Sequence, residues 1–154
     1  MKRILFICLG NICRSVAAEE VMRQKALQAG IDLEVDSAGL IDYHEGELSD
    51  SRMRDHAYRR GYRLTHRSRP VTASDIRQFD IIVAMDDNNR KGLERQFGSN
   101  ALTGKLLMAA DWLHRHDAAS IPDPYYGGEK DFEYALDLIE DLCDTLLEHW
   151  QKEE

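Results

Sequence analysis

Short apolar segments alternate with segments of helical apolar spacing along most of this 154-residue chain. Four apolar segments have the length and composition of buried strands: 3–8, 33–37, 80–84 and 105–108. Helical spacing predicts helices between and after them, over 15–29, about 49–60, 74–78, 88–97 and 130–151. Strands that alternate with helices form parallel sheets covered on both faces. We therefore predict a single three-layer α/β domain over residues 1–154, with a four-stranded parallel sheet between helices.

Cysteine content and hydropathy indicate the compartment. The chain has three cysteines without metal-ligand spacing, and the apolar face of the predicted last helix includes Cys143, which we expect in the core. The N-terminal segment does not resemble a signal peptide, and no apolar run approaches the roughly 20 residues that cross a bilayer. We expect a soluble cytoplasmic protein that binds neither a metal nor a membrane.

Charge is unevenly distributed along the chain, whose formal net charge is −8. Residues 129–154 hold ten Asp or Glu and two Lys, whereas residues 52–69 hold seven Arg and one acid, Asp55. These arginines form either a basic patch that attracts anionic substrates or a solvated helix face. The short basic segment, the negative net charge and the lack of a recognition motif argue against a nucleic-acid partner.

The segment from Cys8 to Ser15, C-L-G-N-I-C-R-S, lies between the first predicted strand and the first predicted helix. A loop that ends at a helix N-terminus offers free N–H groups and the positive end of a helix dipole to an oxyanion. The same environment favours the thiolate form of a cysteine. We predict a phosphate-binding loop with a thiolate at Cys8 and Arg14 beside it. The alternative is an ordinary buried thiol at a strand end.

A second candidate site segment, P-D-P-Y-Y-G at 122–127, precedes the last predicted helix. A thiolate that attacks phosphorus must expel an alkoxide or phenolate, which needs a proton from a positioned acid near neutral pH. Asp123 is the candidate because Pro122 and Pro124 stiffen the backbone around its carboxyl group. By itself this segment is more typical of a proline-rich turn with an incidental Asp. Its occurrence together with the Cys8 segment favours the acid.

Taken together, C-L-G-N-I-C-R-S and D-P-Y-Y-G make the chain resemble the low-molecular-weight protein tyrosine phosphatases. The resemblance extends from residue 4 to about residue 134 and includes V-D-S-A-G at 35–39, T-H at 65–66, F-D at 79–80 and A-M-D at 84–86. It implies a flavodoxin-like fold of the phosphotyrosine phosphatase I type, in agreement with the alternation. It also implies hydrolysis of protein phosphotyrosine through a phosphocysteine intermediate, with no metal and no cofactor.

The resemblance also implies a role for each matching residue. Cys8 corresponds to the nucleophile, and Arg14 to the guanidinium that holds two equatorial phosphoryl oxygens. Asp123 corresponds to the general acid of the first step and the base that activates water in the second. Ser15 is expected to hold its hydroxyl near the Cys8 sulfur.

The remaining residues of the expected phosphate-binding loop provide backbone N–H groups, which stabilise the transferring group; the full loop set is Leu9, Gly10, Asn11, Ile12, Cys13 and Ser15. The resemblance implies a left-handed backbone at Asn11, a side-chain bond from Asn11 to Ser37, and His66 nearby. The alternative for His66 is a surface position among the neighbouring arginines.

Pocket depth predicts the substrate. Tyr43, Tyr125 and Tyr126 are expected to wall a pocket with Cys8 at its floor, which admits a phenyl phosphate but holds phosphoserine too far from the sulfur. Ile12 resembles the tyrosine-directed members, whereas relatives that act on phosphoarginine tend to have Thr there. We therefore expect phosphotyrosine-containing proteins as substrates. The exposed tyrosines support either a weak dimer or substrate contact by a monomer.

Two other functions remain possible at this stage. A thiol-dependent arsenate reductase would need further cysteines in mid-chain, and none occurs between Cys13 and Cys143. A non-catalytic phosphate-binding module is disfavoured because thiol, arginine and acid are all present. Cys13 either forms a reversible disulfide with Cys8 or only packs in the loop. The segment 41–48 matches no relative clearly and leaves protein selectivity open.

Overall fold

One parallel sheet forms the centre of the structure, a computed structural model that describes residues 2–153. Its strands are β1 Lys2–Cys8, β2 Leu33–Gly39, β3 Ile81–Ala84 and β4 Leu106–Met108. They lie in the order β2–β1–β3–β4, so β1 is central and pairs in parallel with both β2 and β3. The predicted four-stranded parallel sheet is confirmed, with the strand order of flavodoxin-like folds.

Helices connect and cover the strands. Their bounds are α1 Arg14–Ala29, α2 Ser51–Arg59, α3 Ala73–Gln78, α4 Asp87–Phe97, α5 Ser99–Leu102, the 3₁₀ helix Ala109–Trp112 and α6 Glu129–Glu153. The predicted helix over 49–60 begins later, at Ser51, because the Asp50 side chain accepts the Arg52 N–H and caps the first turn. Helix α5 and the 3₁₀ helix were not predicted, since four residues are too few to show a period.

The apolar run in β1 explains why the sheet is covered on both faces. Successive side chains of a strand point to opposite faces. Ile4 and Phe6 join one core cluster, whereas Leu5 and Ile7 join the other, and all four are fully buried. A strand with apolar residues at both parities must lie in the middle of a three-layer structure.

The two faces carry different helices. The first core cluster takes in the buried faces of α1, α2 and α6, and the second takes in Ile76 of α3, Leu93 of α4 and Leu102 of α5. Cys143 of α6 is completely buried, with its Sγ 3.8 Å from the Ala18 carbonyl oxygen of α1. The expectation that Cys143 is a core residue is therefore confirmed.

Among the seven arginines of the basic segment 52–69, Arg52, Arg60 and Arg69 form ion pairs with carboxylates. Arg69 pairs with Asp36 and Asp75. Arg60, which follows α2, forms ion pairs with three carboxylates of α6: Glu133, Asp137 and Glu140. Arg60 and Arg69 thus join elements of the fold to one another. Within residues 2–153, no helix has the length and apolar content needed to cross a bilayer.

Candidate active site

The segment after β1 curls around the start of α1 and forms the floor of a cavity of about 300 Å³. Parallel sheets of this class bind ligands beyond the carboxyl ends of the strands, where the strand order reverses. Here that point lies between β1 and β3, and Cys8 is the last residue of β1. The cavity is lined by Cys8, Leu9, Gly10, Ile12, Cys13, Arg14, Ile41, Tyr43, His44, Asp123, Tyr125 and Tyr126.

Asn11 holds the loop in its curled conformation. Its φ of 56° lies in the left-handed region, which Asn tolerates better than most residues, and its side chain is completely buried. Its Nδ2 donates to Ser15 Oγ at 2.8 Å and to Ser37 Oγ at 3.0 Å. Its Oδ1 accepts the Arg69 N–H at 3.0 Å and lies 2.9 Å from His66 Nε2. Every polar atom of the amide therefore has a partner.

The hydroxyl of Ser15 lies 3.0 Å from the Cys8 sulfur. Because Ser15 Oγ already accepts the amide of Asn11, its own proton is available to the sulfur. A hydroxyl that donates to sulfur stabilises the thiolate relative to the thiol. With Cys8 as a thiolate, which can only accept, the Ser15 hydroxyl donates and the chain of bonds from Asn11 through Ser15 ends on the sulfur.

Behind the loop, His66 Nδ1 lies 3.1 Å from Glu19 Oε1 and 3.4 Å from Asp36 Oδ1. These three residues have the donor types of a metal site. Ser37 Oγ, however, donates to the same Glu19 oxygen at 2.6 Å, so the group is a hydrogen-bonded support for Asn11. The His66 side chain is mostly buried here, which excludes the surface position considered from the sequence.

Gly39 lets β2 approach this loop closely. A Cβ atom at Gly39 would lie 3.0 Å from the Leu9 carbonyl oxygen and 3.1 Å from Asn11 Cβ. Both contacts are tighter than side chains normally make. The D-S-A-G segment therefore contributes the Ser37 hydroxyl, and its Gly39 leaves room for the loop because it has no side chain.

Arg14 is buried and fixed at two points. Its Nη1 donates to Asp86 Oδ2 at 2.6 Å and to the Ile121 carbonyl oxygen at 2.9 Å, while its Nη2 lies 3.7 Å from Asp123 Oδ2. Burial acts to lower the pKa of Arg14, but the negative charge of Cys8 and the bond to Asp86 outweigh burial and raise it. The guanidinium thus remains charged and is held against the floor of the cavity.

Asp123 lies on the opposite side of the cavity in an irregular loop. Its side chain is 39% exposed, so it is open to a bound molecule, and its Oδ1 accepts the Tyr125 N–H at 3.1 Å. The Ile121 N–H donates to the Met85 carbonyl oxygen at 2.9 Å, which attaches the loop to the end of β3. Asp123 is far in sequence from Cys8 and Arg14, which share one loop, but all three line one cavity.

Cys13 differs from Cys8 in environment. Burial raises the pKa of the Cys13 thiol, and the nearby charges of Asp50 and Cys8 raise it further. Cys13 is 3% exposed and a free thiol, as are the other two cysteines. Of the two sulfurs in the loop, Cys13 is therefore held in the neutral form.

Aromatic rings form the walls of the cavity. Tyr125 and Tyr126 meet edge to face with centroids 4.9 Å apart, and Tyr43 meets His44 in the same way at 4.8 Å. Tyr43 and Tyr126 are largely exposed at the rim. All three tyrosines expected from the sequence thus line the cavity.

Three residues that matter to this site were not identified from the sequence. His44 and Ile41 line the cavity, and Asp86 holds Arg14. His44 and Ile41 belong to the segment 41–48, which shows no recognisable pattern. Asp86 could have been found, because it follows a strand that neighbours β1 at the carboxyl edge of the sheet.

Comparison with known proteins agrees with this geometry. The family model for low molecular weight phosphotyrosine protein phosphatase matches residues 3–154. YfkJ of Bacillus subtilis, a low molecular weight protein-tyrosine-phosphatase, is 36% identical over 156 residues, covering 99% of this chain and 98% of that protein. A protein tyrosine phosphatase of Entamoeba histolytica superposes with a TM-score of 0.94 at 40% identity, covering 99% and 98%. A Drosophila arginine phosphatase superposes with a TM-score of 0.88 at 31% identity, covering 97% and 98%.

Proposed function

The chain belongs to the low molecular weight phosphotyrosine protein phosphatase family, and from this premise we propose that Cys8, Arg14 and Asp123 hydrolyse protein phosphotyrosine. The observation that carries the proposal is their convergence. The thiol and the guanidinium come from the loop after β1, the carboxyl group comes from the distant segment 122–127, and all three line one cavity walled by tyrosines. Acyl or sugar chemistry would not need a buried, fixed guanidinium, whereas a phosphoryl group has oxygens that match its fork.

In the first step, the Cys8 thiolate attacks phosphorus and the bond from phosphorus to the tyrosine oxygen breaks. Asp123 gives its proton to that oxygen, so tyrosine leaves as the neutral phenol. In the second step, the Asp123 carboxylate takes a proton from water, and the water oxygen attacks the phosphocysteine. The thiolate leaves and inorganic phosphate forms.

The phosphoryl group has the same cradle in both steps. Backbone N–H groups from Leu9 to Arg14 and the fork of Arg14 contact the equatorial oxygens, on which negative charge accumulates. Since Asp86 and the Ile121 carbonyl hold Arg14 before substrate arrives, little reorganisation is needed at the moment of reaction.

Phosphotyrosine is the substrate that this pocket fits best. Its ring reaches the sulfur from between Tyr43 and Tyr125, whereas the side chain of phosphoserine is too short to do so. Ile12 at the floor presents an apolar surface to the ring. A substrate protein would contact the rim at Tyr43 and Tyr126, whose rings are exposed. This contact is compatible with a monomer or a weak dimer.

Neither alternative function fits as well. The third cysteine that an arsenate reductase would need is absent from the cavity, because Cys143 is buried against α1. A binding module without catalysis would have no use for Asp123, whose carboxylate faces the anion site and weakens phosphate affinity by repulsion. The free thiols at all three cysteines suit a reducing compartment, and we place the substrates in the cytoplasm.

Peptide dephosphorylation in the presence of EDTA tests the proposal. We expect release of phosphate from a phosphotyrosine peptide at least about 100-fold faster than from a phosphoserine peptide of the same sequence, as expected when only one substrate reaches the nucleophile. Cys8→Ser is the control and should be inactive on both. Equal rates on the two peptides, or full activity of Cys8→Ser, would refute the proposal.

A further inference from the structure

The loop that carries Asp123 lacks regular structure, so its position depends on a few bonds. On the N-terminal side, Ile121 is bonded to Met85 and to Arg14. On the C-terminal side, Gly127 and Gly128 bond within the loop and to Asp131 at the start of α6. These contacts lie at the two ends of the loop. The backbone between Asp123 and Gly127 therefore needs a bond from another element of the fold to hold its position.

Arg52, at the start of α2, makes that contact. Its Nη2 donates to the Tyr125 carbonyl oxygen at 2.8 Å. Among residues 2–153, it is the one side chain from another element that bonds to the backbone between Asp123 and Gly127. Its guanidinium also lies over the rings of Tyr125 and Phe132, at 5.6 and 4.7 Å from their centroids. Both contacts hold the arginine against the loop and against α6.

Arg52 is also linked to the phosphate-binding loop, through Asp50. Its Nε and Nη2 donate to the two carboxylate oxygens of Asp50 at 3.1 and 3.0 Å. The Asp50 N–H in turn donates to the Ile12 carbonyl oxygen at 2.8 Å. A continuous set of bonds thus joins the cradle beneath the sulfur to the loop of the acid.

Tyr125 links Arg52 to the acid, Asp123. Its N–H donates to Asp123 Oδ1, and its carbonyl oxygen accepts from Arg52. A shift of the Tyr125 backbone would therefore move the carboxyl group that must reach the leaving oxygen. An error of about 1 Å in such a group can reduce the rate about 100-fold.

We propose that Arg52 is a positioning residue for the general acid, which holds Asp123 over the cradle through Asp50 and the Tyr125 backbone. This inference rests on the proposed function, since it assigns Asp123 the transfer of a proton to the leaving oxygen. Arg52 itself is half exposed at the rim and need not touch the phosphoryl group.

The dependence on the leaving group distinguishes positioning of the acid from other effects. Phenolate is a poor leaving group and needs the proton of Asp123, whereas 2,4-dinitrophenolate leaves without one. For Arg52→Gln, we expect kcat/KM to fall at least about tenfold with phenyl phosphate and less than about twofold with 2,4-dinitrophenyl phosphate. The dissociation constant of inorganic phosphate and the Tm should remain close to those of the parent.

Two further variants and a double variant make the test specific. Arg59→Gln removes an exposed arginine of the same helix and should behave as the parent. Asp50→Asn keeps a helix cap but weakens the anchor of Arg52, and should show the same selectivity with a smaller loss, even if Arg52→Gln does not fold. In an Asp123→Ala background, Arg52→Gln should change neither substrate by more than about twofold, because the positioned group is gone.

Three outcomes would overturn the inference: equal losses on both substrates, no loss on phenyl phosphate, or an undiminished effect of Arg52→Gln in the Asp123→Ala background. Failure of the proposed function looks different. In that case the parent protein itself would not hydrolyse these aryl phosphates, or Cys8→Ser would remain active.

Discussion

At the residue scale, the site depends on polar side chains that are held in place by several hydrogen bonds each. The Nδ2 group of Asn11 donates to two hydroxyls, and its Oδ1 has two partners. These four bonds stabilise the left-handed backbone of Asn11, which a residue without them would avoid. The same amide donates to Ser15 Oγ, and that hydroxyl lies 3.0 Å from the Cys8 sulfur. One side chain therefore supports both the loop conformation and the position of the hydroxyl beside Cys8.

Asp86 provides a test of how far Arg14 depends on its support. The carboxylate accepts from Arg14 with one oxygen and caps α4 through the Asn89 N–H with the other. Asn caps a helix about as well as Asp, so Asp86→Asn removes the charge but keeps the cap. We expect kcat/KM for 4-nitrophenyl phosphate to fall about tenfold, while the Tm changes by only a few degrees.

Asp87→Asn is the matched control for that variant. Asp87 is the next residue along the chain, exposed, and paired with Arg90 and Lys91 of its own helix. It should retain full activity. If Asp86→Asn is as active as Asp87→Asn, Arg14 does not need its carboxylate partner.

Sequence reasoning named Cys8, Arg14 and Asp123 and part of their support, around Asn11, but it missed Asp86 and Arg52. Cys8, Arg14 and Asp123 have chemistry that the reaction requires, and they lie in recognisable segments. Arg52 and Asp86 act on residues that are distant in sequence. Arg52 bonds to Tyr125, 73 residues away, and Asp86 bonds to Arg14, 72 residues away. Such contacts depend on which elements pack together, and a single sequence does not encode them in any local pattern.

At the element scale, α6 does more than cover the sheet. Its Asp141 is completely buried and accepts one N–H from each of three consecutive residues after the 3₁₀ helix: His114, Arg115 and His116. Burial acts to raise the pKa of Asp141, but the bond from the His116 ring and these backbone bonds outweigh it and lower the pKa. The segment that leads to Asp123 is thereby attached to α6.

Asp141→Asn should destabilise the protein in a pH-dependent way. Because the folded pKa lies below the unfolded value of about 4, this carboxylate stabilises the fold above that value. The contribution is lost as the pH falls through the folded pKa. We expect the free energy of unfolding in urea to fall by about 2–3 kcal/mol at pH 7, with a smaller difference between variant and parent below pH 4.

Asp137→Asn, on an exposed face of α6, is the comparison. It removes one of three carboxylates around Arg60 and should cost less than about 1 kcal/mol. Equal costs for the two variants at pH 7 would show that the buried carboxylate has no special part in stability.

Element types were predictable from the sequence, whereas several boundaries were set by single side chains. The continuous apolar run of β1 and the long apolar face of α6 are strong signals, and both elements form as predicted. The start of α2 is set by the Asp50 cap, and α3 begins one residue earlier than predicted because Thr72 and Asp75 form a capping box. Short helices such as α5 have no period to detect.

At the scale of the whole molecule, the topology brings the parts of the site together. The end of β1 provides the cradle, the end of β3 provides Asp86, and the loop before α6 provides Asp123. All three meet where the strand order reverses, at the carboxyl edge of the sheet. The sequence placed the Cys8 segment between a strand and a helix, but the distances at this edge follow only from the packed structure.

Trapping the covalent intermediate tests the account most directly. Asp123→Ala should still form the intermediate from 2,4-dinitrophenyl phosphate, which needs no acid, but should hydrolyse it slowly because no base activates water. After rapid denaturation and digestion, mass spectrometry should find one phosphate on the peptide that contains Cys8. A phosphate on any other residue, or continued turnover without a phosphorylated Cys8, would contradict the account.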